Sequence, residues 1–321
     1  MALKNSRKIV VLATGGTIAG LARQPTDPGY TAAVLPVSDL LGGLDLGSDG
    51  AWTLESEQVA QIDSKDMTPT VWAELARRCA AHLASPEVAG LVITHGTDTA
   101  EETAFFLQCV LRPAKPVALT CAMRPANAPD ADGPGNLQDA VDWVRLSASS
   151  TQVPAQVVLV AAGEVHAASV VQKVFSDRLD AFSSGPNGPL ARIAQSSLQW
   201  GKAAAPWICP AVPVTALGDG RDWPEVRLVY SHVGADGREV RALMSSSHPP
   251  RGWVVAGTGA GTLHQDLAAA LDEARQGGAV VWCASRCAWG VVPEHRDDGL
   301  HAAGGLSPVK ARIALMLSLM A

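Results

Sequence analysis

Short apolar runs alternate along the first half of the chain with longer segments whose apolar positions recur at helical spacing. Residues 9–13, 91–94, 116–120 and 157–161 read as buried strands, because each is a brief run bounded by glycine, proline or polar residues. Between them the spacing predicts a helix over 70–84, with Thr68 as N-cap and Pro69 at its first position. A second helix is predicted through 104–111, where Thr99-Ala-Glu-Glu102 reads as a capping box. A third is predicted near 137–147, after a polar loop over 124–136. Strand, helix, strand in this rhythm builds a parallel sheet.

The rhythm breaks over 196–223, where Ser, Gly, Pro and Trp accumulate. Beyond it, strands are predicted at 226–231, 253–256 and 279–285, a helix over 267–275 that stops at Gly277 and Gly278, and a terminal helix to about residue 319 with Ser307 as N-cap. The expected fold is α/β: a larger N-terminal catalytic domain over 1–195 with a mainly parallel sheet, a linker over 196–223, and a smaller C-terminal α/β domain over 224–321. A length of 321 residues fits two domains, since single cores rarely grow beyond about 250 to 300 residues.

Composition narrows the class. With 47% hydrophobic and 17% charged residues the chain reads as a compact enzyme and not as a disordered segment. The net charge of -6, with no local Lys/Arg cluster, excludes a nucleic-acid partner. Six cysteines (79, 109, 121, 209, 283 and 287) are scattered without zinc-ligand spacing, and most read as small buried residues of a reduced protein. The apolar run after the basic start is too short for a secretory signal, and no stretch approaches the roughly 20 apolar residues of a membrane span. A cytoplasmic protein with no membrane partner is expected.

The chemistry concentrates in two turns. Ile9-Val-Val-Leu-Ala-Thr-Gly-Gly-Thr17 and Leu91-Val-Ile-Thr-His-Gly-Thr-Asp98 each carry threonine in a glycine turn directly after a strand. Glycine lets the backbone turn sharply and approach a ligand, and a hydroxyl becomes a nucleophile only beside an activating group, so two such turns suggest one shared site. Thr97 and Asp98 fall at a helix N-terminus. Thr14 and Thr94 read as strand-end threonines bonded to nearby backbone, and His95 as structural and not a general base. A dinucleotide fingerprint fails because Thr17 stands where its second glycine is required, and no Gly-Lys-Ser/Thr follows a glycine turn. The loop over 20–36 surrounds Tyr30 and could act as a lid.

Together these segments resemble the bacterial L-asparaginase family, including its glutaminase-asparaginase members. The matching motifs are Ala13-Thr-Gly-Gly-Thr-Ile-Ala-Gly20, Gly90-Leu-Val-Ile-Thr-His-Gly-Thr-Asp-Thr99, Asp63-Ser-Lys-Asp-Met67, Ala122-Met-Arg-Pro125, Ala131-Asp-Gly-Pro134 with Asn136, and Leu306-Ser-Pro-Val-Lys-Ala-Arg312. The resemblance spans nearly the whole chain and is strongest before about residue 140. It implies hydrolysis of L-asparagine to L-aspartate and ammonia, with glutamine as a secondary substrate. It implies Thr17 as nucleophile with Tyr30 beside it, a second triad of Thr97, Asp98 and Lys173, and Ser64 and Asp98 as holders of the substrate's carboxylate and ammonium. No cofactor or metal is implied. The family assembles as a homotetramer of close dimers, which implies that Thr262 and Glu294 reach a neighbouring subunit's site.

Lys65 departs from the pattern. Many members carry a neutral or acidic side chain there, near the substrate's ammonium, and a lysine would repel that charge unless it points away. Two other readings remain: the amide-hydrolysing subunit of a tRNA-dependent amidotransferase, and a non-catalytic amino-acid-binding protein that keeps Ser64 and Asp98.

Overall fold

The computed structural model describes residues 7–27, 29–48, 50–149, 155–194, 197–201 and 212–321. Its first strand, Arg7–Gly15, buries Ile9, Val10, Val11 and Leu12 completely, which is why its sequence is continuously apolar and does not alternate. In the first unit the sheet has eight strands in the order Ser197–Trp200, Ala191–Ala194, Glu164–Ala167, Val157–Ala161, Val117–Thr120, Val88–Thr94, Arg7–Gly15 and Trp52–Ile62. The five strands from Val157–Ala161 to Trp52–Ile62 run parallel, and the other three join antiparallel at the far edge.

Helices Pro69–Ala84, Ala100–Leu111 and Gly133–Ala148 pack on this sheet. Thr68 caps the first, its hydroxyl accepting from Val71 N at 3.3 Å. That helix is fastened to the next by Trp72 stacked on Phe106, with ring centroids 4.8 Å apart. The third helix starts at Gly133, several residues before its apolar periodicity, because Pro134 supplies a helical φ in the first turn. Asp132, just ahead of it, accepts from Met123 N and Arg124 N and so closes the polar loop.

The described residues fall into two compact units, with Pro213–Arg221 belonging to the first and Asp222–Ala321 to the second. Of the segment expected as a linker, residues 196 and 202–211 lie outside the described residues. Ser197–Trp200 is an edge strand of the first unit's sheet, paired with Ala191–Ala194. The second unit has a four-stranded parallel sheet in the order Val226–Tyr230, Gly252–Gly257, Val280–Ser285 and His301–Ala302. Helices Gln265–Gln276 and Pro308–Ser318 bury Leu267, Leu271, Ile313 and Leu317 within this unit. The α/β fold with a larger, mainly parallel N-terminal sheet is therefore as the strand and helix rhythm predicts.

Two local expectations are corrected. Thr99 stands at the N-cap position but makes no capping bond, because its hydroxyl donates instead to Ser64 O at 2.8 Å. The cysteines are not all reduced: Cys109 is disulfide-bonded, while Cys79, Cys121, Cys283 and Cys287 are free thiols and Cys209 lies outside the described residues. Among the described residues no helix is long and apolar enough to cross a membrane.

Candidate active site

Strands Arg7–Gly15 and Val88–Thr94 are parallel neighbours with Ala13 beside Thr94, so the two threonine turns leave the same sheet edge side by side. In chain order the five parallel strands lie 2-1-3-4-5 across the sheet, and the first and third meet where the order reverses. Crevices at such a reversal, beyond the carboxyl ends of the strands, are where open α/β sheets bind ligands. The turns approach closely because glycine lines both. Gly15 and Gly16 have φ of +105° and +83°. A Cβ on Gly16 would lie 2.3 Å from Gly96 N, and one on Gly96 would lie 2.5 Å from Ser64 Oγ.

Thr17 opens a short 3-10 turn, is 6% exposed, and has its Oγ1 2.7 Å from the Tyr30 hydroxyl. Tyr30 is carried by a small hairpin, Leu21–Ala22 against Tyr30–Thr31. The hairpin is anchored where Asn127 exchanges two bonds with the Ala22 backbone, at 2.9 and 2.8 Å. An open cavity of about 380 Å³ lies beside Tyr30, lined also by Arg23 and Asp27. Thr97, equally buried, accepts from Lys173 Nζ at 2.8 Å, and the same ammonium meets Asp98 Oδ1 at 2.7 Å. Lys173 arrives on a second hairpin, Gln172–Lys173 against Phe182–Ser183. Since the ammonium only donates, the Thr97 hydroxyl proton stays free to point elsewhere.

Ser64 is almost fully buried and its Oγ accepts from Asp98 N at 3.2 Å, which ties the segment after strand Trp52–Ile62 to the second turn. Lys65 reaches back to Asp63 at 2.8 Å and to Asp66 at 3.0 Å, and these carboxylates hold its ammonium well above the usual lysine range. Its charge is thus matched within its own turn. Among the described residues, neither the Thr17 nor the Thr97 backbone N–H donates to a backbone carbonyl outside the helices and strands. Thr14 Oγ1 donates to Thr94 O at 2.9 Å, a local bond that fastens the strand ends together.

His95 is fully buried, with Nδ1 2.7 Å from Gly96 O and Nε2 2.9 Å from Thr103 Oγ1. Burial pushes its pKa down to about 4. Thr103 in turn accepts from Trp72 Nε1 at 2.8 Å. Neither Trp72 nor Thr103 is marked in the sequence, because both sit at ordinary buried positions of helices and only the packing of those helices brings them to His95. Thr262 and Glu294 belong to the second unit. Thr262 closes a turn with Thr258, their hydroxyls 2.7 Å apart, and Glu294 is exposed. Among the described residues no cluster of His, Cys, Asp or Glu could hold a metal ion.

Two carboxyl-edge turns, each presenting a hydrogen-bonded threonine, meet at a strand-order reversal and form the candidate site. The family described as "Asparaginase, N-terminal" matches residues 8–205, and "Glutaminase/Asparaginase C-terminal domain" matches residues 225–321. The chain belongs to the asparaginase family. It is 34% identical over 316 residues to L-asparaginase 2 of Escherichia coli (strain K12), covering 97% of this chain and 88% of that protein. It is 33% identical over 322 residues to the glutaminase-asparaginase of Pseudomonas fluorescens biotype A, covering 97% and 86%. Among solved structures, the probable cytoplasmic L-asparaginase of Campylobacter jejuni superposes with a TM-score of 0.86 at 35% identity, covering 98% of this chain and 95% of that one.

Proposed function

We propose that this chain is an L-asparaginase that hydrolyses L-asparagine to L-aspartate and ammonia through a threonine ester. The observation that carries the reading is the pairing of Thr17 with Tyr30 and of Thr97 with Lys173 and Asp98 on adjoining turns. Thr17 Oγ attacks the side-chain amide carbon. Its proton leaves by way of the Tyr30 contact and returns on the departing nitrogen, which is released as ammonia. Water then adds to the β-aspartyl ester, directed by the Thr97 hydroxyl, and frees Thr17 and aspartate. The backbone N–H groups of Thr17 and Thr97 are the donors for the oxyanion of both tetrahedral intermediates. Asp98 receives the substrate's ammonium, and Ser64, whose Oγ accepts from Asp98 N, keeps its own proton for the carboxylate. No cofactor takes part in this scheme.

Glutamine is a secondary substrate in this reading, since one methylene is worth only about 1 to 3 kcal/mol of discrimination. The proposal includes a cytoplasmic location and a homotetramer of close dimers, in which Thr262 and Glu294 complete a neighbouring subunit's site and the domain over 224–321 serves that purpose. Sedimentation at several concentrations tests the assembly, and a fully active monomer contradicts it. The activity is tested by ammonia release from L-asparagine, L-glutamine and D-asparagine by the intact protein, Thr17→Ala and Lys173→Met. Release from L-asparagine by the intact protein, lost in both variants, is the expected result. Binding of asparagine without release at any pH would favour the non-catalytic amino-acid-binding protein.

A further inference from the structure

We infer that His95 is a positioning residue: as a neutral imidazole with its proton on Nδ1, it fixes the Gly96–Thr97 peptide so that the Thr97 N–H stays aimed into the site. This rests on the reading above, in which that N–H stabilises the oxyanion.

The direction of every proton in the buried chain follows from its two ends. The Trp72 indole can only donate, so Thr103 Oγ1 accepts from it at 2.8 Å. The Gly96 carbonyl can only accept, so the imidazole nitrogen 2.7 Å away must carry a proton, and that nitrogen is Nδ1. The ring is fully buried, and among the described residues no carboxylate is bonded to it, which keeps it neutral and leaves Nε2 as an acceptor. The Thr103 hydroxyl supplies the matching proton over 2.9 Å. Trp72, Thr103, His95 and Gly96 therefore form a one-way relay with a single consistent arrangement.

The consequence for the site comes from the planarity of the peptide bond. Gly96 C=O and Thr97 N–H belong to one plane and point in opposite directions, so a bond that holds the carbonyl also holds the N–H. Glycine is the residue at which such a peptide would otherwise turn most freely, and Gly96 is glycine because Ser64 Oγ and the Gly16 backbone leave no room for a Cβ. The relay restores the rigidity that this close approach gives up. Trp72 is itself held by stacking on Phe106, so the anchor reaches back to two packed helices.

Two measurements test this. NMR of protein carrying 15N-labelled histidine is expected to find His95 as the Nδ1–H tautomer at pH 7. The Nε2–H tautomer or an imidazolium would overturn the inference, whatever any variant does. In steady-state ammonia release, His95→Leu is expected to lower kcat by about 10-fold or more, below the roughly 100-fold of outright donor loss, while KM for asparagine stays within about twofold. His95→Asn, whose amide N–H can still reach Gly96 O, is expected to recover part of kcat. Unchanged kcat in His95→Leu, or a loss carried by KM, contradicts the role. An intact protein that releases no ammonia would instead defeat the underlying asparaginase reading, and the tautomer measurement would still decide the relay.

Discussion

Gly16 and Gly96 face each other so closely that a Cβ on the first would fall 2.3 Å from the backbone nitrogen of the second. Gly16→Ala must both adopt a φ of +83° and displace that backbone, a combination that costs about 2 kcal/mol or more. The expected outcome is a lower urea midpoint together with loss of nearly all ammonia release. Full activity in a stable Gly16→Ala protein would show that the turns need not touch.

Much of this contact was legible in the sequence. The apolar runs at 9–13 and 91–94 mark the strands, because parallel strands buried on both faces are continuously apolar, and the glycines after them mark the turns. That the two turns share a site follows from their matching chemistry, but the pairing that joins them does not. The strand order and the register that puts Ala13 beside Thr94 depend on which runs pair, and local pattern is silent on that. Lys65 fared differently. Its charge was visible, but its reach back to Asp63 and Asp66 depends on the 3-10 turn Ser64–Asp66. Thr99 departs from its pattern for a similar reason. A capping-box pattern fixes where a helix starts, but the hydroxyl went to a carbonyl that arrives from another strand end.

Tyr30→Phe removes the hydroxyl bonded to Thr17 Oγ1 and little else, since Tyr30 is 43% exposed. General acid or base help is worth about 100-fold or more, so kcat is expected to fall by that order with the melting temperature unchanged. Stopped assays of ammonia release across pH 6 to 9 check this, and an unaltered kcat would remove Tyr30 from the mechanism.

Lys65→Gln is expected to leave KM for asparagine within about twofold, because the lysine charge is already answered by Asp63 and Asp66. A marked fall in KM would mean that the ammonium does act on the substrate.

Asp139 provides a pH test of the scaffold. Desolvation first, and then the neighbouring Asp142, push its carboxyl up to about 6, against one opposing bond from Gly163 N. A raised carboxylate pKa means that between about 4 and 6 the folded chain keeps a proton the unfolded chain has lost, so this group's contribution to stability grows as pH falls through 6. At pH 8 the charged form costs about 1 kcal/mol after allowance for partial solvation. Asp139→Asn should therefore raise the urea midpoint at pH 8 and change it little at pH 4.5; an equal change at both pH values would point to packing instead.

Thr17 is the nucleophile of the proposed reaction, and a covalent intermediate reports it most directly. Protein mixed briefly with L-asparagine, quenched in acid and mapped by mass spectrometry is expected to carry an aspartyl group on the peptide containing Thr17, absent from Thr17→Ala. Turnover with no adduct on Thr17, or an adduct that persists elsewhere in Thr17→Ala, would contradict it.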